Sequence, residues 1–339
     1  MPAAPAETIL QDTQIVAEIQ VSPDVTKETI FRGQFKSEVE RLEKGSGRPL
    51  NAEERRQVLD VMINEKLANQ AAKRDKITVS EGEINQQIQQ LRTGMVQVIG
   101  RQPTDAEFAM AVWNETGLDE SAFREQLRRQ LVVQKYLQTK KQNIFESLKI
   151  PTEEEIQNTF NLARSQFVRP DTVRLSMIQV SYGSDAAAKT RARELADRLF
   201  REINANPTKF DELVLRGQAQ NSGYQAGDWG YLPRSLEAQQ SLGADFVNTA
   251  FSLKQGEVSK LIEGTKAYHI IKVTETHEMK NLELDDIYQL GSRFTVRDYI
   301  GNSLLQRRQQ EILAQASQEL VAELRAGKTF QVFEKNLTW

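Results

Sequence analysis

The chain has 339 residues, enough for two or three domains, and its 44 basic and 47 acidic side chains leave a formal net charge of −3. This balance excludes the basic surface that binds nucleic acid or lies on an anionic membrane. Cysteine is absent and only His269 and His277 represent histidine, which excludes thiol chemistry, disulfides and a histidine-rich metal site. We therefore expect no metal, no small-molecule cofactor and no nucleic-acid partner.

The first residues of the chain were compared with the pattern of an export signal. No apolar run approaches the ~18 residues that span a bilayer. Residues 1–6 (MPAAPA) lack the basic start and apolar stretch of a signal peptide. We expect that a leader or a membrane anchor preceded this run and has been removed. A thiol-free chain also suits an oxidising compartment.

The N-terminal half is predicted to be helical after one short strand. Residues 14–21 alternate between apolar and polar and predict the strand. Ser22, Pro23 and Asp24 predict a helix start, with a cap and a proline in the first turn, and the helix is predicted to end near residues 45–47. Cap residues followed by helix-period apolar stripes predict five further helix starts, at Asn51, Ser80, Thr104, Asp119 and Thr152.

The pattern changes at Arg169 and Pro170 to that of a compact α+β unit. The predicted elements are strands at 173–180, 258–262 and 268–273, helices at 185–200 and 210–215, and a Gly-rich stretch at 217–230.

After Glu278 the chain is predicted to be helical again, ending in a strand at 328–333. One apolar stripe follows the whole helix, at Val296, Ile300, Leu304, Ile312, Ala316, Leu320 and Leu324. Since a single amphipathic helix must cover apolar surface elsewhere, we expect it to pack on the N-terminal helical region.

Four strings in the α+β unit resemble the parvulin (rotamase) domain, in the same order and at similar spacing. Residues 226–231 (AGDWGY) resemble the Gly-Gly-Asp-Leu-Gly-aromatic turn of that family, and residues 245–253 (DFVNTAFSL) its Phe-x-x-Ala-Phe-x-Leu helix. Residues 254–259 (KQGEVS) and 268–273 (YHIIKV) are similar to its Gly-Glu-Val-Ser turn and its last strand. With helical segments on both sides, nearly the whole chain resembles the SurA/PrsA type of exported foldase.

This resemblance implies an α+β multidomain fold. We expect a mostly helical chaperone domain formed by the N- and C-terminal segments, with an inserted parvulin-like domain that has a four-stranded antiparallel sheet and surrounding helices. The predicted boundaries are 1–168 for the N-terminal helical domain, 169–278 for the parvulin-like domain, and 279–339 for the C-terminal helix and strand that pack back on the N-terminal domain. The resemblance also implies a location in the periplasm or cell envelope, with a membrane tether at the missing N-terminus as one form.

Prolyl isomerisation crosses a barrier of roughly 18–20 kcal/mol and requires an apolar grip on the proline ring and polar groups beside the twisting amide. The resemblance implies two facing histidines and a Cys or Asp as the polar groups. His269 occupies the position of the second histidine, whereas Met177 and Gln220 occupy the other two. The apolar wall corresponds to Phe246 and Leu242. The candidate catalytic residue is thus His269, and the candidate peptide-binding residues are Met177, Gln220, Leu242, Phe246 and His269.

These substitutions leave three functions open. The first is a chaperone that holds unfolded or proline-containing envelope or outer-membrane polypeptides, with a parvulin-like domain that is weak or inactive. The second is an active peptidyl-prolyl cis-trans isomerase, and the third is a structural component of envelope assembly. Met177 and Gln220 favour the first over the second, because a thioether is a weak acceptor and a neutral amide cannot act as a thiolate or carboxylate.

Overall fold

The computed structural model describes residues 12–183, 185–219 and 222–337. The chain divides into two compact units. The first comprises the residues up to Lys149 together with those from Gln306 onward, and the second runs from Ile150 to Leu305. The predicted α+β multidomain class, with a helical part made from both ends of the chain, is confirmed. The boundaries predicted at 168/169 and 278/279 stay a prediction.

The first unit is mainly helical. Its helices are α1 (Arg32–Ser46), α2 (Ala52–Arg74), α3 (Glu81–Ile99), α4 (Asp105–Thr116), α5 (Glu120–Lys140) and α6 (Gln142–Glu146). The caps predicted at Asn51, Ser80, Thr104 and Asp119 are confirmed, since each side chain accepts a hydrogen bond from the backbone N–H three residues later. These bonds satisfy amide groups that the first helical turn leaves without partners.

A three-stranded antiparallel sheet joins the two ends of the chain. Its order is β2 (Glu28–Phe31), β1 (Ile15–Ile19) and β9 (Phe330–Val332). Ala17 of the central strand lies opposite Ile30 on one side and Val332 on the other. The core beneath this sheet therefore contains residues that are separated by almost the full length of the sequence.

The helix predicted to start at Ser22 is wrong. Residues 20–27 form turns and loop, residues 28–31 form β2, and α1 begins at Arg32. The buried Gln70 side chain holds this turn, because its Nε2 donates to the carbonyls of Ile19 and Thr26 while its Oε1 accepts from the Val21 amide. Pairing with β1 and these hydrogen bonds override the local cap signal, which competes only through local propensity.

The C-terminal helix α12 spans Val296–Ala326 and contributes to a core in each unit. Its residues Ala316 and Leu320 pack with Tyr136 of α5 in the first unit. There the Lys141 side chain, which is buried, reaches Glu323 at 2.6 Å. Earlier on the helix, Val296, Ile300 and Leu304 pack with Phe160 and Phe167 in the second unit.

The second unit contains a four-stranded antiparallel sheet of order β5-β4-β7-β6. Its strands are β4 (Thr172–Ser181), β5 (Gln225–Pro233), β6 (Ile262–Glu263) and β7 (Ala267–His277). Two short strands, β3 (Val168–Arg169) and β8 (Lys280–Asn281), pair separately. The helices are α7 (Glu153–Ala163), α8 (Ala186–Ala205), α9 (Lys209–Gly217), α10 (Leu236–Leu242) and α11 (Ala244–Ser252).

The string at 226–231, which resembles the Gly-rich turn of the parvulin family, lies within the edge strand β5. β5 runs through Gly227, Asp228 and Gly230, and its pairing with β4 shifts register between Leu175 and Ser176. Gly230 has φ 97°, a conformation that glycine adopts without a steric penalty. The glycines thus allow the edge strand to bend while it remains paired.

Replacing Gln70 by alanine should destabilise the first unit by roughly 1–3 kcal/mol, because three backbone groups lose the buried side chain to which they are hydrogen-bonded. Urea denaturation followed by circular dichroism measures this loss. Gln90→Ala is the matched control, since Gln90 is exposed on α3, and it should leave the midpoint unchanged. Equal midpoints for the two variants would show that the turn does not depend on Gln70.

Candidate functional site

The two faces of the four-stranded sheet carry different cores. Val173, Leu175 and Met177 of β4 belong to a core with α10 and α11. Ile178 and Val180 belong to a second core with α8 and α9. Because side chains alternate along a strand, the two groups of β4 residues point to opposite faces of the sheet. Met177 lies on the α11 face, together with the candidate residues Leu242 and Phe246.

The strand register places His269 opposite Gln179 rather than opposite Met177. On the same pair of strands, Met177 lies opposite Ile271. Met177 is thus a diagonal neighbour of His269 on one face, at a typical distance of about 7–8 Å. Gln179 was missed by the sequence reasoning, although the alternation of β4 places it on the same face as Met177, two residues further on.

The His269 ring contacts a phenylalanine and lies close to a glycine. Its ring meets the edge of the Phe246 ring at a centroid distance of 5.2 Å and an interplanar angle of 79°. A Cβ atom added to Gly264 would lie 2.8 Å from the His269 Nε2. A side chain at residue 264 would therefore displace the imidazole, and the glycine is what admits the ring.

The His269 imidazole is poor in polar partners. Its Nδ1 is buried and has no hydrogen-bond partner among the described residues. Burial lowers the pKa of the imidazole from its ordinary value of 6.5, because the charged form is desolvated. The ring is consequently neutral at neutral pH and offers one acceptor and one donor.

The apolar candidates form a closed core. Met177 is 8% exposed and Phe246 is 1% exposed, and Leu242 packs half-buried against the same cluster. Gln220 lies outside the described residues. The structure thus brings Met177, Leu242, Phe246 and His269 together, but the first three mostly contact one another and the core.

A polar cavity opens beside Gln179. A cavity of about 320 Å³ is lined by side chains and backbone of Gln179, Ser181, Gly217, Ala219, Ser222, Gly223, Tyr224 and Gln225. Gln179 Nε2 donates to Ser181 Oγ at 3.4 Å. Amide and hydroxyl groups of this kind recognise peptide backbone by hydrogen bonding, whereas they provide little apolar surface for a proline ring.

Asp228, the acidic residue of the string at 226–231, belongs to a network of ion pairs that connects strands of the sheet. The Arg174 guanidinium hydrogen-bonds its carboxylate and holds its pKa below the ordinary value. Arg174 also donates to Glu275 at 2.7 Å, and Glu275 in turn accepts from Tyr231 and lies 3.2 Å from His277 Nε2. This network ties β5, β4 and β7 together and places His277 away from His269.

Residues 160–277 match the family model of the PPIC-type PPIase domain, and residues 12–137 match that of the SurA-like N-terminal domain. The chain therefore combines a region that matches the PPIC-type PPIase domain with a preceding region that matches the SurA-like N-terminal domain. The resemblance to SurA/PrsA-type foldases predicted from the sequence is confirmed.

Curated relatives carry the names of such foldases. Foldase protein PrsA of Clostridium botulinum (strain Hall) is 25% identical over 312 residues, which cover 91% of this chain and 81% of the relative. Chaperone SurA of Alcanivorax borkumensis is 26% identical over 235 residues, covering 69% and 50%. Among solved structures, a SurA-like chaperone of Campylobacter jejuni has 14% identity and a TM-score of 0.40, with 94% of this chain and 100% of that chain covered.

The stability of the chain should fall as the pH drops below 6.5. Because burial lowers the pKa of His269 in the folded state, the unfolded state binds the proton more readily, and acid favours unfolding until the folded imidazole also protonates. Thermal melts between pH 7.5 and pH 5 measure this slope. His269→Gln should be less pH-dependent over the same range, and an unchanged slope would contradict the burial of a neutral ring.

Proposed function

We propose that the protein is an exported chaperone that holds unfolded polypeptide and that its rotamase domain is catalytically weak or inactive. The observation that carries this proposal is the composition of the His269 site, where the buried thioether of Met177 stands in place of the first of the two histidines. The clients implied are envelope or outer-membrane polypeptides, including proline-containing segments.

The proposal of weak catalysis follows from what the twisted amide needs. Catalysis requires groups that bind the twisted state more strongly than the planar one. Met177 offers one weak sulfur acceptor, and His269 is neutral with a buried, unpartnered Nδ1. Phe246, the expected wall for the proline ring, is 1% exposed and already packed on His269. A substrate proline would first have to displace this contact.

The proposal of a holding activity is supported by apolar side chains at the surface of the first unit. Helices α3 and α4 expose large apolar residues within positions 91–113, namely Leu91, Val98, Ile99, Met110 and Trp113. Val98 and Met110 are 86% and 64% exposed. Large exposed apolar groups mark surfaces that bind other chains, and methionine adapts to many partners.

The proposed location is the periplasm or cell envelope. PrsA and SurA are the relatives' names, and the Campylobacter structures are described as SurA-like chaperones, one of them a periplasmic protein. In the described residues, no helix is both long and apolar enough to cross a bilayer. The proposal includes a membrane tether at the N-terminus, and membrane fractionation of cells that express the native gene tests it.

An active isomerase is the second candidate, and the register favours it in one respect. Gln179 lies opposite His269, so an amide and a neutral imidazole occupy neighbouring positions on one sheet face. These two groups could donate to or accept from a twisting peptide bond in place of two histidines. The two candidates differ in whether His269 matters for proline-limited refolding.

In a proline-limited refolding assay, the wild-type chain should accelerate the slow phase no more than His269→Ala does, because the polar constellation is incomplete. The double variant Met177→His with Gln220→Asp supplies the two missing polar groups and should raise the rate above that of the wild type. A wild-type acceleration that His269→Ala abolishes would establish the isomerase instead.

In an aggregation assay with an unfolded client, a few-fold excess of the wild-type chain should suppress light scattering. The double variant Met110→Ser with Trp113→Ser should suppress it less, because apolar contact area is lost. Leu313→Ser is the matched control, since Leu313 is a half-exposed leucine outside positions 91–113. No suppression by the wild type would favour a structural role in envelope assembly.

A further inference from the structure

The outer edge of the four-stranded sheet is formed by residues 256–263, which run antiparallel to β7. Gly256 and Ser259 donate their amides to the carbonyls of Val273 and Ile271, and Ile262 lies opposite His269. On its outer side this edge segment pairs with no strand in the described part of the chain. Between the bridge at Val258 and the end of β6 at Glu263, it therefore presents an irregular open edge of about 20 Å at ~3.3 Å per residue.

The backbone of the edge segment has polar groups directed outward. Val258 lies opposite Lys272 between two ladder hydrogen bonds, from Ser259 to Ile271 and from Val273 to Glu257. A residue in this position turns its own N–H and C=O away from the paired strand. Within the residues that the structure describes, the backbone groups of Val258, Lys260 and Leu261 enter no hydrogen bond.

A groove of about 820 Å³ lies along this edge. One wall is the end of α8, with Phe200 and Ile203, and the other is α11, with Asp245 and Thr249. Val258 and Leu261 add apolar surface between the walls. The volume falls in the ~300–1,000 Å³ range of ligand sites, and the groove has the parts of a strand-addition site, which are an open edge and flanking side-chain pockets.

The charged side chains that line the groove indicate which residues should flank the apolar part of a bound segment. Asp245, Glu257 and Glu263 contribute three carboxylates against the single ammonium of Lys260, a formal charge of −2. Glu263 is paired with Lys189 and Arg193, whereas Asp245 and Glu257 have no ion pair among the described residues. The two unpaired carboxylates favour a segment with basic residues beside its apolar part.

We infer that this groove binds an extended, apolar client segment with basic flanks, which adds as a strand beside residues 256–263. The inference deepens the proposed function, on which it rests, by naming a second polypeptide site and the backbone chemistry that recognises the client. The groove is distinct from the His269 site, because its lining does not include Met177, Phe246 or His269. It needs no proline in the client.

The test uses the full chain and a proline-free peptide of sequence Lys-Val-Thr-Val-Thr-Val-Lys with blocked ends. Fluorescence anisotropy of the labelled peptide gives the affinity, and amide hydrogen exchange gives the location. We expect slower exchange at residues 257–263 when the peptide is bound. Only alternate amides of a strand face one neighbour, so the same peptide N-methylated at its three central residues loses at most two donors to the edge. It should bind about tenfold more weakly.

Variants of the chain test the edge and its charge. Val258→Pro removes an outward N–H without removing a ladder hydrogen bond, as proline does on edge strands, and should weaken the peptide. Asp245→Asn with Glu257→Gln should also weaken it and reduce its salt dependence. Glu278→Gln is the matched control, since Glu278 is exposed in the same unit and outside the groove lining.

Four results would overturn the inference. Equal binding of the N-methylated peptide would exclude backbone pairing, and exchange protection only elsewhere would exclude this groove. Protection of residues 257–263 that grows with protein concentration alone would assign the edge to a second copy of the chain. If the wild type suppresses client aggregation and the groove variants do so equally well, this inference fails while the proposed function stands. If the wild-type chain does not suppress client aggregation, the proposed chaperone function is rejected.

Discussion

The long antiparallel pairing of β4 with β7 determines what the rotamase unit can do. It runs from Thr172 opposite His277 to Ser181 opposite Ala267, with one register shift between Arg174 and Leu175. Because successive side chains point to opposite faces, this register fixes the neighbours of His269. A slip of one residue would move the imidazole to the other core and remove its contact with Phe246.

The same strand therefore serves two different surfaces. On the α11 face, His269 packs against Phe246 and contributes to a site with few polar groups. Along its edge, β7 pairs with residues 256–263, whose outer backbone faces the groove. Loss of polar groups at one surface does not impair recognition at the other, since backbone pairing depends on no catalytic side chain. Under the proposed function, the edge of this domain would bind polypeptide whether or not the His269 site catalyses isomerisation.

The parts of the fold and of the candidate site that depend on local signals or on a motif could be predicted from the sequence. The caps at Asn51, Ser80 and Thr104 predicted helix starts because the bonds they make lie within one turn. The start predicted at Ser22 failed because Gln70, 48 positions beyond it, holds that turn. At the site, the convergence of Met177, Phe246 and His269 followed from the parvulin strings. Gln179 and the role of Gly264 did not, because they depend on strand register and on one close approach.

The pairing of β1 with β9 has a consequence for synthesis. A ribosome releases Ile15 long before Val332, because 316 residues lie between them. The central strand of the first sheet therefore has one side unpaired until Val332 has emerged. The rotamase unit from Ile150 to Leu305 is contiguous, so all of its strands are available earlier. Domains made of one continuous stretch fold as they appear, and the helical part of this molecule is therefore the last to close.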